Sequence, residues 1–178
     1  MHAASGGEVN AARPLLERLK SKIIVSCTTA AGRQRASELP GVFARLAPLD
    51  CGPAVRRFVR EARPKALILV ETELWPRMIA EAPRVALVNG RLSSRSFARY
   101  RLISWLLRPF LAKIERLAAQ TDADAERFIA LGARPEAVAV CGNMKYDLPA
   151  PPPPEPKILE TLGWTGPVLV AGSTHPGE

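Results

Sequence analysis

The chain has 178 residues, 47% of them hydrophobic and 24% charged. That balance excludes a disordered chain and allows one α/β domain and the beginning of another. The net charge of +8, from 25 Lys and Arg against 17 Asp and Glu, favours anionic partners: nucleic acid, phosphosugars or anionic lipid.

Three cysteines (Cys27, Cys51, Cys141) stand far apart and only two histidines occur, His2 and His175. No Cys-x-x-Cys pair is present, so a structural zinc site is not expected. Scattered thiols in odd number fit a reducing cytoplasm. No apolar run is long enough to span a bilayer, and no secretory signal precedes the domain. Neither Gly-x-Gly-x-x-Gly nor a Walker loop occurs, so no nicotinamide, ATP or other cofactor is expected.

The chain opens on Met1-His-Ala-Ala-Ser-Gly-Gly-Glu-Val-Asn10. Gly6 and Gly7 predict a tight turn. Val9, Ala12, Leu15, Leu16 and Leu19 then recur at helical steps. Glu8 falls where loop becomes helix, a place that stabilises a carboxylate. Two readings are open there: a helix-capping glutamate, and a general base at the mouth of a cleft.

Apolar runs then alternate with amphipathic stretches. Strands are predicted at Ile23–Cys27, Val42–Leu46, 66–70, 85–88, Arg116–Ala119 and 137–140. Helices are predicted at 28–39, 53–62, 74–82, 94–115 and Asp122–Leu131, the last ended by Gly132. The helix over 94–115 is expected to break near Arg108-Pro109. This rhythm predicts a Rossmann-like parallel sheet with helices on both faces. Ligands of such sheets bind at the carboxyl ends of the strands.

Three polar clusters fall at those ends. Glu71-Thr-Glu-Leu-Trp-Pro76 places Glu71 and Glu73 where they can bind a sugar or fix a cation, with Trp75-Pro76 closing the turn. The alternative is solvated loop acids. Asn89-Gly-Arg-Leu-Ser-Ser94 offers Asn89 and Arg91 to an anion or hydroxyls, with Gly90 admitting a ligand to the backbone. Its bland alternative is a helix-entry loop capped by Ser93 or Ser94. Gly142-Asn-Met-Lys-Tyr-Asp147 brings Lys145 and Asp147 near the end of the domain.

Residues 91–116 carry Arg91, Arg95, Arg99, Arg101, Arg108, Lys113 and Arg116 among Phe97, Tyr100, Trp105, Leu106, Leu107, Phe110 and Leu111. Basic plus aromatic helices point to a membrane surface or anionic lipid. A solvated basic face on a core helix is the alternative. Nucleic acid is not expected as a partner, because no recognition signature accompanies the charge.

Residues 149–156, Pro-Ala-Pro-Pro-Pro-Pro-Glu-Pro, form a stiff linker. A domain over 1–148 precedes it. Residues 157–178 read as the start of a second, with a helix over 157–162 and a strand over 168–170. Ser173, Thr174 and His175 follow that strand, where hydroxyls and an imidazole can meet a phosphate or carboxylate.

Taken in order, Ser5-Gly-Gly-Glu8, Glu71-Thr-Glu-Leu-Trp-Pro76, Asn89-Gly-Arg-Leu-Ser-Ser-Arg-Ser96, Gly142-Asn-Met-Lys-Tyr-Asp147 and Ser173-Thr-His-Pro-Gly-Glu178 resemble the 3-deoxy-D-manno-octulosonic acid (Kdo) transferases, over essentially the whole chain. The resemblance implies the N-terminal half of a GT-B glycosyltransferase, with an acceptor-side domain over 1–148 and a donor-binding domain beginning at 157–178. It implies Kdo transfer from CMP-Kdo to a lipid A precursor in lipopolysaccharide synthesis, with inversion and without a metal, at the cytoplasmic face of the bacterial inner membrane. Glu8 then matches the catalytic base. Glu71 and Glu73 match the acidic motif of the acceptor half, with Asn89 and Arg91 beside it. Lys145, Ser173, Thr174 and His175 fall on the donor side. Two residues depart from the family pattern: Gly6 stands for a branched aliphatic, and Gly90 for the commoner Ala. The family also has a first strand, and usually a membrane-anchoring stretch, before His2, and a whole donor domain after Glu178. The fragment alone is therefore expected to be inactive. Another GT-B nucleotide-sugar transferase, or a non-catalytic basic module for anionic lipid, are the rival readings.

Overall fold

The computed structural model describes residues 1–71, 73–150, 161, 163, 166 and 167. Two compact units are present, Met1–Leu148 and Pro149–Glu178. The expected linker over 149–156 and helix over 157–162 fall in the second, and of them only residues 149, 150 and 161 are among the described residues. The expected strand over 168–170 and the residues Ser173, Thr174 and His175 lie outside the described residues.

The first unit alternates strand and helix. Its strands are β1 (Ile23–Cys27), β2 (Val42–Leu46), β3 (Leu67–Val70), β4 (Val85–Gly90), β5 (Arg116–Ala119) and β6 (Val138–Val140). Its helices are α1 (Gly6–Arg18), α2 (Ala30–Ser37), α3 (Gly52–Ala62), α4 (Pro76–Glu81), α5 (Ser94–Leu102), α6 (Ser104–Lys113) and α7 (Asp122–Leu131). All strand pairs are parallel: β1 with β2, and β3, β4, β5 and β6 in that order. Helical crossovers between parallel strands cover the sheet, which is why its strands read as apolar runs.

The two groups of strands are joined by residues 1–4. His2 bridges to Ser26 of β1 on one side and to Leu69 of β3 on the other, both in parallel sense. The His2 N–H donates to the Ile68 carbonyl at 2.7 Å, and the His2 carbonyl accepts from Val70 at 3.0 Å. On the other edge, Ala3 N–H donates to Ser26 and Ser26 N–H to Met1, each at 3.0 Å. The strand order is therefore β2, β1, residues 1–4, β3, β4, β5, β6. Residues 1–4, through the bridges of His2, hold the central position of the sheet, the place of the first strand that was expected to be truncated.

Two apolar clusters hold the unit. The larger gathers Leu69, Ile79, Leu87, Leu92, Leu111, Ile114, Leu117, Phe128 and Leu131 between β3–β5 and helices α4, α6 and α7. The smaller packs Val9, Ala12 and Leu16 of α1 on Val25, Cys27, Ala36 and Val70. Each fully buried Leu, Ile or Phe contributes roughly 1.5–3 kcal/mol.

Three local expectations are corrected. Gly6 and Gly7 form the first turn of α1, both with ordinary negative-side backbone rather than a special turn. Strand β4 continues through Asn89 and Gly90, which the sequence had placed in a loop. The helical break falls at Ile103, with φ −115° and ψ 20°, and Pro109 sits inside α6. The carbonyl that Pro109 cannot satisfy belongs to Trp105, an exposed residue.

Candidate active site

The turn from residues 1–4 into α1 places Glu8 at the carboxyl end of the central strand position. Ser5 is the N-cap, and its hydroxyl accepts from the Glu8 N–H at 3.3 Å. The Glu8 carboxylate folds back: Oε2 accepts from the Ala4 N–H at 2.7 Å and Oε1 from the Ser5 hydroxyl at 3.2 Å. This is a capping box whose carboxylate reaches one residue further than usual. The capping reading of Glu8 is therefore correct as geometry, and it leaves open lone pairs on both oxygens.

Neighbouring groups pin that turn. Thr28 donates to the Ala4 carbonyl through both its N–H, at 3.0 Å, and its hydroxyl, at 2.8 Å. Gly32 of α2 lies so close that a Cβ there would stand 3.2 Å from the Ser5 carbonyl carbon. Burial raises the Glu8 carboxyl above its ordinary 4.5; the Ala4 N–H opposes this, and the negative charges of Glu73 and Glu71 add to it. A carboxylate desolvated and crowded by like charge is driven toward basicity.

Glu71 directly follows β3 and takes positive φ, 60°, as does Asn89 at 57° in β4. Asn tolerates that conformation; Glu adopts it rarely, and such strain concentrates at functional sites. The two touch. Asn89 Nδ2 donates to Glu71 Oε1 at 3.4 Å, and Lys145 Nζ lies 3.2 Å from the same oxygen. Asn89 Oδ1 accepts from the Met144 N–H at 3.0 Å, and its backbone carbonyl accepts from Gln120 at 3.2 Å. One buried asparagine thus ties the end of β4 to the acidic loop and to the 3₁₀ turn Met144–Asp147.

Glu73 takes a different partner. Trp75 Nε1 donates to its Oε2 at 3.1 Å, so the indole clamps Glu73 rather than closing over Glu71. Arg91 is exposed just beyond β4. The loop after it is held by Asp124, which was not singled out from sequence. Asp124 Oδ1 accepts from the Leu92 N–H at 2.7 Å and Oδ2 from the Thr121 hydroxyl at 2.6 Å. The Thr-x-x-Asp spacing over 121–124 was its available signal. Gly90 does not admit a ligand: a Cβ there would stand 2.8 Å from Leu87 Cδ2 and 3.1 Å from Phe128. It serves close packing.

A cavity of about 200 Å³ opens beside these residues, between α1 (Pro14, Leu15, Arg18) and the strand-end residues Asn89, Gly142 and Met144. A larger one, about 980 Å³, lies under Met1, Ile24, Phe58 and Ile68 at the amino ends of the strands. The smaller lies at the carboxyl ends of the strands, where ligands of open parallel sheets bind, and shares Asn89 with the Glu71–Lys145 cluster. Among the described residues no group of three or more His, Cys, Asp and Glu is placed to hold a metal ion.

The all-parallel sheet, its central strand position and the polar rim define a Rossmann-like α/β unit. A solved S. aureus MnaA–UDP structure shares the fold, with a TM-score of 0.60 at 15% identity, over 91% of this chain and 50% of that one. Residues 1–148 match the family model described as 3-deoxy-D-manno-octulosonic-acid transferase (kdotransferase), and the chain belongs to that family. It is 38% identical to a 3-deoxy-D-manno-octulosonic acid transferase of Haemophilus influenzae and 33% identical to one of Bordetella pertussis. Both alignments take in 100% of this chain and 45% of the relative. A bifunctional glycosyltransferase/methyltransferase of Fusobacterium nucleatum is 33% identical, again over 100% of this chain and over 30% of its own length. The chain thus spans less than half the length of these curated relatives.

Proposed function

We propose that the chain is the acceptor-side half of an inverting Kdo transferase, with Glu8 as general base. What supports this reading is above all the Glu8 turn: a basic carboxylate, rigidly held at the strand-end rim and facing two further acids. A hydroxyl of the lipid A precursor attacks the anomeric carbon of Kdo. Its proton passes to Glu8 as the new C–O bond forms. The bond from that carbon to the phosphate oxygen breaks, and CMP leaves with the electron pair. The attack comes from the face opposite the leaving group, which inverts the centre.

Glu71, Glu73, Asn89 and Arg91 bind the acceptor, the acids accepting from sugar hydroxyls and Arg91 meeting a phosphate. Lys145, Ser173, Thr174 and His175 belong to the donor side, as the family resemblance implies. The membrane surface is met by the bend between α5 and α6. There Leu102, Ile103, Trp105 and Leu106 are exposed among Arg95, Arg99, Arg101 and Arg108. An apolar ridge flanked by cations suits an anionic bilayer at its cytoplasmic face.

The test joins this chain to the donor half of the Haemophilus relative and supplies lipid A precursor and CMP-Kdo. Product is read by mass spectrometry, with Glu8→Gln beside it. A mass gain that disappears in the variant supports both the reaction and the base. A gain that survives removes Glu8 from its role. No gain from a folded protein overturns the reading.

A further inference from the structure

His2 is 1% exposed, at the centre of the sheet, and no sequence motif accounts for it. Its Nδ1 lies 3.0 Å from the Ser26 hydroxyl oxygen. Its Nε2 is buried without a hydrogen-bond partner. That nitrogen points at the acidic loop: Glu73 Oε2 stands 4.0 Å away. The Trp75 ring meets the imidazole edge-on, with centroids 4.6 Å apart, and the same Trp75 donates to Glu73 Oε2.

The tautomer follows from the Ser26 hydroxyl, which has one proton to give. Its two acceptors are His2 Nδ1 at 3.0 Å and the Met1 carbonyl at 3.5 Å. The Met1 carbonyl is already served by the Ser26 N–H at 3.0 Å. The shorter bond to an otherwise unserved nitrogen prevails, so Ser26 donates to Nδ1 and the imidazole proton sits on Nε2. A buried N–H with no acceptor is costly, whereas a carboxylate about 1 Å too far is easily brought in by a half-exposed side chain. Burial, reinforced by the adjacent terminal amine, lowers the His2 pKa to about 4, so the ring is neutral near pH 7.

We propose that His2 is a positioning residue: its Nε2–H donates to the Glu73 carboxylate and, with Trp75, fixes that carboxylate over the end of the central strand. The backbone that carries the ring is laddered on both sides, and the ring is buried. Glu73 thereby takes its orientation from the same four residues that deliver Glu8. The value of that orientation for acceptor binding rests on the function proposed above; the hydrogen bond does not.

The experiment is long-range ¹H–¹⁵N spectroscopy of the 178-residue chain at neutral pH. Only two histidines are present, and His175→Asn identifies the signals of His2. The expected result is a protonated, pyrrole-type Nε2 and a bare Nδ1, with an Nε2–H slow to exchange. In Glu73→Ala that proton moves upfield and exchanges at least severalfold faster, while the remaining spectrum stays folded. In Ser26→Ala the tautomer shifts toward Nδ1–H. A bare Nε2 in the unmodified chain overturns the proposal. So does an Nε2–H signal that Glu73→Ala leaves unchanged. Neither readout involves sugar transfer, so failure here is separate from failure of the proposed reaction.

Discussion

Lys145 and Glu71, 74 positions apart in the chain, meet at 3.2 Å on the strand-end rim. Lys145 was expected to face the donor and Glu71 the acceptor, yet the two share one ion pair braced by Asn89. Both side chains remain partly open to solvent, so the pair contributes less than about 1 kcal/mol to stability. Lys145→Met is expected to shift the melting temperature little while lowering transfer by the joined enzyme at least tenfold. Differential scanning calorimetry and a mass-spectrometric rate assay together check this. A large melting loss with normal transfer would show a structural strut instead.

Glu8 caps α1 and is proposed as the base, and substitution can separate the two roles. Glu8→Ala removes the capping carboxylate and is expected to cost about 1 kcal/mol of stability. Glu8→Gln keeps an acceptor for the Ala4 N–H, so its stability near pH 4 should stay close to that of the parent. Transfer in either variant should fall by roughly 10²–10⁴. Urea titration separates the first effect from the second.

The raised Glu8 pKa has a signed consequence. A carboxyl that holds its proton more tightly when folded favours the folded state below its unfolded pKa, and that contribution is lost as pH rises from about 4.5 through the raised value. Glu8→Gln should therefore remove this falling component from the pH dependence of stability over that window. The rate should move the opposite way, with an acid limb lying above 4.5 because the base must first lose its proton. A limb at or below 4.5 would deny Glu8 the perturbed environment described here.

His2 titrates in the other sense. Its pKa falls from 6.5 unfolded to about 4 folded, so protonation favours the unfolded chain. The contribution of His2 to stability should rise with pH from about 4 to 6.5, by roughly 3 kcal/mol. His2→Gln should remove most of that slope. Denaturant midpoints at pH 4.5 and 6.5 measure it.

Two glycines should respond oppositely to alanine. Nothing lies within 4 Å of a Cβ at Gly6, in the first turn of α1, so Gly6→Ala should stabilise by about 0.5–1 kcal/mol. At Gly132, φ is +116° and a Cβ would stand 2.5 Å from Arg108 Cγ and 3.0 Å from its Cα. Gly132→Ala should cost about 2 kcal/mol or more. Thermal melts of the two variants side by side decide it.

Trp105 is 75% exposed and Leu102 80% exposed at the bend between α5 and α6. Trp105→Ala should leave melting unchanged and reduce partitioning onto phosphatidylglycerol vesicles severalfold. Removing Arg99 and Arg101 should weaken binding further and reduce its salt dependence, at about 1 kcal/mol per cation near the surface. Vesicle sedimentation at two ionic strengths reads both effects.

Much of the architecture was legible because it is periodic. The runs at 66–70 and 85–88 are apolar enough to be parallel strands wherever they occur, and Gly132 ends α7 as its position foretold. The acid and polar clusters were legible because they follow those strands. What escaped were the residues whose roles depend on distant partners. His2 gains meaning from Ser26 and Glu73, and no spacing rule reaches that far. Asn89 looked like loop because polar residues usually leave a strand there. Instead the β4–β5 register shifts between Leu87 and Gly90, letting Asn89 turn inward while the strand continues. Pro109 marked a helix break by rule, but it sits inside α6, beside the exposed Trp105 whose carbonyl it leaves unpaired, and the break falls at Ile103.

The placement of residues 1–4 has a kinetic meaning. Strands β1 and β2 pair with each other, and β3 to β6 pair among themselves; the opening segment bridges them through contacts spanning more than 20 positions in one direction and more than 60 in the other. Such distant pairings carry the largest loop-closure cost and form late. A chain can thus possess its helices and two partial sheets before the Glu8 turn exists. Under mild denaturant the same ordering runs backward, and the chemistry should fail while circular dichroism still reports an intact protein.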